Sequence, residues 1–458
     1  MPRILIAAPA SGSGKTLMTC ALLRLFKRKG IRAAAFKCGP DYIDPMFHRR
    51  VLETPSRNLD LYLAGEEGIL RSLSEGFREA DAEIAVIEGV MGYLDGTGPD
   101  GLFASSFDLS VRTKTPVLLT VNARGMSRSV SAVVKGFAEY GEEKQIRGIL
   151  LNQVSERTRE KLEKYIKDDT GLPVLAALPR DEEISFPSRI LGLTEPDEIP
   201  DVQGKIDRAA DLLEKELDLP GLLTIARSAP DITDPEDPDQ SSVDRPYPVR
   251  IAVAMDQAFS FYYEDNLDLL KFLGAQIISF SPIRDRELPV SDGLLLGGGY
   301  PELWARELSD NISMRTSVRQ AAESGMPILA ECGGFQYLQQ ELETEDGNIY
   351  KMAGVLEGRS RMTGKLVRFG YAELCASEKS AFLDPGQRVR CHEFHYSDST
   401  CCGDTCRAVR PGGGSFDCMT ARGNILAGYP HLYYPSCPDL ARRFVLSCRK
   451  YRQDRERQ

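Results

Sequence analysis

The chain has 458 residues, of which 42% are hydrophobic and 27% charged, so there is apolar material for about two or three domains rather than one core. Lys and Arg total 57 against 67 Asp and Glu, a net charge of −10 that argues against nucleic acid or an anionic membrane as the main partner. No apolar run reaches the ~18 residues needed to cross a bilayer. Eleven cysteines in so long a chain make no disulfide scaffold, and a cytoplasmic protein is expected.

In chain order, RILIAA (3–8) reads as a strand, followed by a glycine turn and an amphipathic helix from about Lys15 to Lys29. RAAAFK (32–37), EIAVIEG (83–89), PVLLTV (116–121), RGILLN (147–152) and PVLAAL (173–178) are further apolar strands with helical or loop segments between them. Such alternation predicts a doubly wound parallel α/β sheet over residues 1–225. Residues 226–248 carry five prolines and six acidic residues without apolar periodicity, the composition of an extended linker. A second α/β series follows over 249–458. Its strands are VRIAVAM (249–255), AQIISF (275–280), GLLLGGG (293–299) and PILAEC (327–332), and its helices fall at about 264–273, 302–324 and 334–342.

PASGSGKTL, between the first strand and helix, has the form of a P-loop, although the first glycine of the general pattern is replaced by Pro9. Ser11, Gly12, Ser13 and Gly14 let backbone N–H groups close around phosphate, Lys15 reaches the outer phosphates, and the Thr16 hydroxyl suits Mg²⁺. FKCGPDYIDPMFH (36–48) follows the second strand and brings Lys37, Asp41 and Asp44; IEGVMGYLDG (87–96) follows the third and brings Glu88 and Asp95. Ligands of doubly wound sheets sit at the carboxyl ends of strands. Mg²⁺ takes few carboxylates beside phosphate oxygens, so Thr16, Asp41 and Glu88 form the candidate metal set, with Asp44 and Asp95 as rivals. Turn capping is the competing role for all four acids.

In the second series PILAECGGFQYL reads strand, tight turn, helix. Cys332 is then either a buried thiol or a nucleophile on an elbow, where the following helix N-terminus favours thiolate. Gly333, and Gly298 and Gly299 of the GGGYPEL loop, are candidate oxyanion donors. Of the four histidines, His431 in GYPHLYYPS is the candidate base. His392 and His395 in RCHEFHYS are candidates for metal, substrate or structural duty. Cys401, Cys402 and Cys406 lack the spacing of a zinc site.

The stretches IAAPASGSGKT, FKCGPDYIDPMFH, PSRNLDLYL, VIEGVMGYLDG, PRDEEISFPSR, LLLGGGYPE, AECGGFQYL and CHEFHYS, in this order, resemble the cobyrinate a,c-diamide synthase family along nearly the whole chain. Relatives within that family act on hydrogenobyrinate or nickel-sirohydrochlorin. The resemblance implies an N-terminal synthetase half like dethiobiotin synthetase and a C-terminal class I glutamine amidotransferase half. ATP and L-glutamine would be co-substrates, Mg²⁺ the cofactor, a corrin-type tetrapyrrole the substrate, and a homodimer the candidate assembly. It assigns Cys332 as nucleophile, His431 as its base, Lys15 and Thr16 to phosphate and metal, and Asp41 and Glu88 to Mg²⁺. Lys37, Tyr42, Arg57, Asp60 and Asp95 are the candidate substrate contacts, with loop packing as the competing role for Arg57 and Asp60. Three positions depart from the family pattern. Tyr433 stands where many class I enzymes carry a third catalytic acid, which leaves a Cys–His dyad; Ile190 stands where histidine is frequent, and Cys391 where glycine is usual. A P-loop regulatory ATPase and a binding protein with a dead glutaminase site are the rival classes, and neither explains both halves.

Overall fold

Seven strands of the first unit pair in parallel throughout: β1 (Arg3–Ala7), β2 (Ala33–Cys38), β3 (Ser56–Leu59), β4 (Ile84–Glu88), β5 (Val117–Asn122), β6 (Ile146–Val154) and β7 (Val174–Pro179). Their order is β3-β2-β4-β1-β5-β6-β7. Neighbouring residues of β1, Ile4 to Ala7, are all fully buried, so both faces of the sheet are covered and the apolar runs need no alternation. This computed structural model describes residues 1–184, 188–189, 192–193, 199–232 and 248–457. Ile190 and most of the expected linker lie outside the described residues.

Six of these strands coincide with the apolar runs. The seventh, β3, is the SRNL stretch that carries Arg57, one of the candidate substrate contacts. It is a short, buried edge strand in register with β2, with Arg57 beside Phe36. The first unit also extends further than expected. Leu219–Arg227 is helical, Arg3 Nη1 donates to Pro230 O at 2.8 Å, and the N-terminal ammonium bonds Asp231 at 2.7 Å. The chain is therefore still packed on this unit at positions assigned to the linker.

The second compact unit is Asp237–Gln458, of which residues 248–457 are described. Its main sheet has six strands in the order Ala275–Phe280, Val249–Ala254, Gly293–Leu296, Ile328–Glu331, Ile425–Gly428, Thr420–Arg422, parallel except for the last pair. Ile328 and Ala330 pack on one face, while Leu329 packs on the other against the helix Pro438–Arg457 and a five-stranded antiparallel sheet. That five-stranded sheet (Ser415–Cys418, Cys406–Val409, Arg368–Ala376, Arg388–His395, His431–Leu432) and a smaller four-stranded one occupy the region after residue 340. The helix expected at 302–324 is divided into Pro301–Trp304, Ala305–Asp310 and Ile312–Glu323. Asn311 breaks it by capping the last piece, accepting from Met314 N at 3.3 Å.

Candidate functional sites

In the first unit the three loops singled out above leave the carboxyl ends of the adjacent strands β2, β4 and β1. Glu88 ends β4 in register with Lys37 of β2 on one side and Ile6 of β1 on the other, so strand pairing alone sets these charges side by side. Gly14 caps the helix Lys15–Arg28 with φ 99°, and a Cβ there would stand 2.1 Å from Asn152 Nδ2. That amide donates to Ser13 O at 3.0 Å and braces the loop from β6. Lys15 begins the helix, and its ammonium is bonded to Met91 O. Burial, followed by repulsion from Lys37, lowers Lys15 to about 8.

Thr16 Oγ1 donates to Glu88 Oε1 and lies 3.2 Å from Asp44 Oδ1. Lys37 is paired with Asp44, stands 3.6 Å from Glu88 Oε1 and donates to Gly89 O at 3.1 Å. Burial opposes charge on Lys37, but Asp44, Glu88 and Asp41 outweigh it and raise the amine. Burial likewise opposes charge on Glu88, and Lys37 with His48 overrides it, holding the carboxyl down to about 2. Asp44 is pushed up by burial and by Glu88, because one ammonium does not neutralise two buried carboxylates.

The hard oxygen donors of Thr16, Asp44 and Glu88 at the end of a phosphate loop suit Mg²⁺ completed by phosphate oxygens. No cluster of three or more His, Cys, Asp or Glu with metal-holding geometry occurs among the described residues. Asp41, expected in the metal set, is half-exposed: its carboxylate accepts from Ile43 N at 2.8 Å and stands 4.0 Å from Lys37 Nζ. Its rival Asp44, one turn on in the short helix Ile43–Met46, is buried and shares Lys37 and Thr16 with Glu88. His48 was missed in the sequence. Its Nε2 lies 3.3 Å from Glu88 Oε2 and its Nδ1 3.0 Å from Ser56 Oγ; the i, i+4 spacing from Asp44 was the available signal.

Among the candidate substrate contacts, Lys37 is buried in the ion cluster and Tyr42 is half-buried at the start of the Ile43–Met46 helix. Asp95 is exposed and accepts from Gly92 N at 2.9 Å. Two others serve the scaffold. Arg57 Nη2 donates to Glu79 Oε2 at 2.9 Å with Glu75 at 3.5 Å, and Asp60 caps the helix Leu61–Glu79 through Leu63 N at 2.9 Å. Both bonds follow from β3 being a strand that feeds directly into a helix, which the polar stretch SRNLD concealed.

In the second unit Cys332 follows the strand Ile328–Glu331 with φ 47° and ψ −104°, a strained conformation for a residue with a Cβ and typical of a nucleophile elbow. The expectation of a helix-stabilised thiolate does not hold at rest. Burial pushes the thiol up and Glu302 adds to it, while the Gly333 amide opposes them weakly; the helix Gly333–Leu338 is only six residues long. The thiol rests protonated and requires a base. His431 supplies a neutral imidazole, lowered to about 3 by burial and then by His392 and His395.

The glycine loop lies against both the His431 ring and the elbow. A Cβ on Gly298 would lie 2.3 Å from His431 Cε1, so the ring rests directly on that glycine. A Cβ on Gly299 would lie 2.1 Å from Ala258 O, and one on Gly333 3.2 Å from Gly299 N, so the backbones of Gly299 and Gly333 converge. Gly334 N donates to Gly297 O at 2.9 Å and locks the elbow to the loop. Gly298→Ala is therefore expected to displace His431 and lower glutamine-dependent turnover about 10²-fold. Ammonia-dependent turnover should be unchanged, as paired initial-rate assays would show.

His392 is His431's cross-strand partner and packs edge-on against Tyr371. His395 stacks on Tyr429 at 4.0 Å and donates through Nδ1 to Ser397 O at 2.7 Å. Cys406 is buried opposite Cys418 while Cys401 is exposed, so the cysteine group does not converge. Cys391 donates to Ala372 O at 3.3 Å. The buried acids Glu331 and Glu393 were also missed; each sits beside a motif residue that drew attention first.

Fold and sites together define an amidating ligase that joins a P-loop nucleotide-binding unit to a glutamine amidotransferase unit. Residues 4–190 match the model of the CobQ/CobB/MinD/ParA nucleotide binding domain, and residues 250–437 that of the CobB/CobQ-like glutamine amidotransferase domain. Cobyrinate a,c-diamide synthase of Listeria innocua is 39% identical over 96% of this chain and 97% of its own. The corresponding proteins of Picrophilus torridus (37%; 97% and 98%) and Priestia megaterium (35%; 99% and 98%) match over equal spans. The chain belongs to the cobyrinate a,c-diamide synthase family. No helix among the described residues is long and apolar enough to cross a membrane.

Proposed function

We infer that the protein amidates the a and c acetate carboxylates of cobyrinate, a corrin-type tetrapyrrole, using ATP and the amide nitrogen of glutamine. The observation that carries this reading is similarity over nearly full length to relatives bearing that name, in a chain that retains both a phosphate loop and a Cys–His elbow. A carboxylate is a poor electrophile, so the N-terminal unit first converts it to an acyl phosphate. Lys15 sits where it offsets charge on the transferring phosphoryl group, and the backbone from Ser11 to Gly14 cradles the phosphates. Thr16, Asp44 and Glu88 would hold Mg²⁺, which when bound shields the phosphate oxygens; His48 and Lys37 keep Glu88 ionised for that task.

In the C-terminal unit His431 takes the Cys332 proton as sulfur attacks the side-chain amide of glutamine. The Gly299 and Gly333 N–H groups face the developing oxyanion, and His431 returns the proton to the departing nitrogen. Ammonia leaves, water hydrolyses the thioester to glutamate, and ammonia displaces phosphate from the acyl phosphate. Incubation with ATP, Mg²⁺ and glutamine against cobyrinate, hydrogenobyrinate and nickel-sirohydrochlorin in turn, with amides counted by mass, tests the reading. A diamide from cobyrinate at the highest kcat/KM is expected, and preference for either other macrocycle would overturn the substrate assignment.

A further inference from the structure

Class I sites that carry a third catalytic acid two residues beyond the histidine find no such acid here. Tyr433 holds that position, and its hydroxyl donates to Asp265 Oδ2 at 2.7 Å on the helix Glu264–Phe272. The same helix clamps the following segment, with Asn266 Nδ2 donating to Leu432 O at 2.7 Å and Tyr434 N donating to Asn266 Oδ1 at 2.8 Å.

A different carboxyl group stands beside His431. Glu331 is the last residue of the strand Ile328–Glu331, immediately before the nucleophile. Strand alternation puts its side chain on the face of Leu329, toward the five-stranded sheet that bears His431. Its Oε1 accepts from the Tyr434 hydroxyl at 2.9 Å, the Leu432 amide also donates to the carboxylate, and Oε2 stands 4.0 Å from His431 Nδ1. Glu331 is 5% exposed, and among the described residues His431 is the one group capable of positive charge within ion-pair range of it. A buried carboxyl group with no Lys or Arg beside it costs stability, which an apolar residue on this face would avoid. Catalytic hydrogen bonds are frequently long in ligand-free sites and tighten around substrate.

We propose that Glu331 is the positioning acid of the glutaminase site, supplied from the residue before the nucleophile instead of from the segment after the histidine. Glu331 engages His431 through Nδ1, which leaves Nε2 to take the thiol proton as the sulfur–carbon bond forms. The proton then passes from Nε2 to the nitrogen as the carbon–nitrogen bond breaks. Tyr434 and the Leu432 amide fix the carboxylate in place. Glu331 acts through His431 and touches no reacting atom. The inference rests on the Cys332–His431 assignment of the preceding section.

The test uses the full chain and measures glutamine hydrolysis, ammonia-dependent amidation, and inactivation by 6-diazo-5-oxo-L-norleucine, an electrophilic glutamine analogue. Glu331→Gln is expected to lower kcat for glutamine hydrolysis about 10²-fold with KM within about twofold, since an amide holds the imidazole in the wrong tautomer. Inactivation by the analogue should slow in parallel, ammonia-dependent amidation should persist, and Glu331→Asp should restore part of the loss. Unchanged kcat in Glu331→Gln would overturn the proposal. So would a loss shared equally by ammonia-dependent amidation and accompanied by a lower melting temperature, which marks a structural role alone. If wild type fails to hydrolyse glutamine, or Cys332→Ala still does, the glutaminase reading itself has failed.

Discussion

Lys15→Ala is expected to lower amidation about 10³-fold or more, about 4 kcal/mol of barrier, with either glutamine or ammonia as nitrogen source. The reason is where the charge sits. Lys37 is committed to Asp44 and Glu88, so it cannot move to the phosphates without exposing two buried acids, whereas Lys15 is held only by a carbonyl oxygen. The lowered Lys15 value adds a pH signature. Its amine faces Lys37, which depresses it, and Glu88, Asp44 and Asp95, which raise it; burial dominates and leaves it at about 8. Above that pH the nucleotide-free enzyme loses the cation that attracts phosphate, so KM for ATP should rise as pH rises through about 8. A Lys15→Ala enzyme that still amidates at more than a tenth of the wild-type rate would remove the P-loop from the mechanism.

Cys332→Ala is expected to abolish glutamine-dependent amidation, by about 10⁴-fold or more, while high ammonia restores product. The thiol is buried and protonated at rest and the His431 imidazole neutral, so the proposed mechanism makes the sulfur itself the indispensable group. Alanine fits the elbow backbone no worse than cysteine does, because both carry a Cβ at φ 47°. The variant should therefore fold, and its ammonia-dependent rate serves as the internal control. Failure of ammonia to restore amidation would show that the two chemistries are not separable.

Both loops were legible in the sequence because glycines, a lysine and a cysteine at the carboxyl ends of apolar strands leave a strong local signal. What was not legible depends on pairing across distance. Asp41 and Asp44 look equivalent in GPDYIDPM, and only the one-turn helix that begins at Ile43 buries Asp44 against Lys37 and Thr16 and leaves Asp41 half-exposed, accepting from Ile43 N with Lys37 at 4.0 Å. SRNL is too polar and short to read as a strand, yet it pairs along β2, with Arg57 bonded to Glu79 and Asp60 capping the next helix. The resting state of Cys332 was misjudged because the helix behind it is one and a half turns long, too little field to outweigh burial. The two smaller sheets after residue 340 escaped notice because several of their strands are three or four residues long and carry charge. It is this region that delivers His431 to Gly298 and to Glu331.

The most direct measurement follows the nitrogen. With glutamine carrying an isotope label on its amide nitrogen and no added ammonia, wild type should yield labelled amide product and Cys332→Ala none. Supplied with unlabelled ammonium beside the labelled glutamine, Cys332→Ala should make product that carries no label. Labelled product from Cys332→Ala, or unlabelled product from wild type given only labelled glutamine, would contradict a glutaminase at Cys332 feeding a carboxylate-activating site in the same chain.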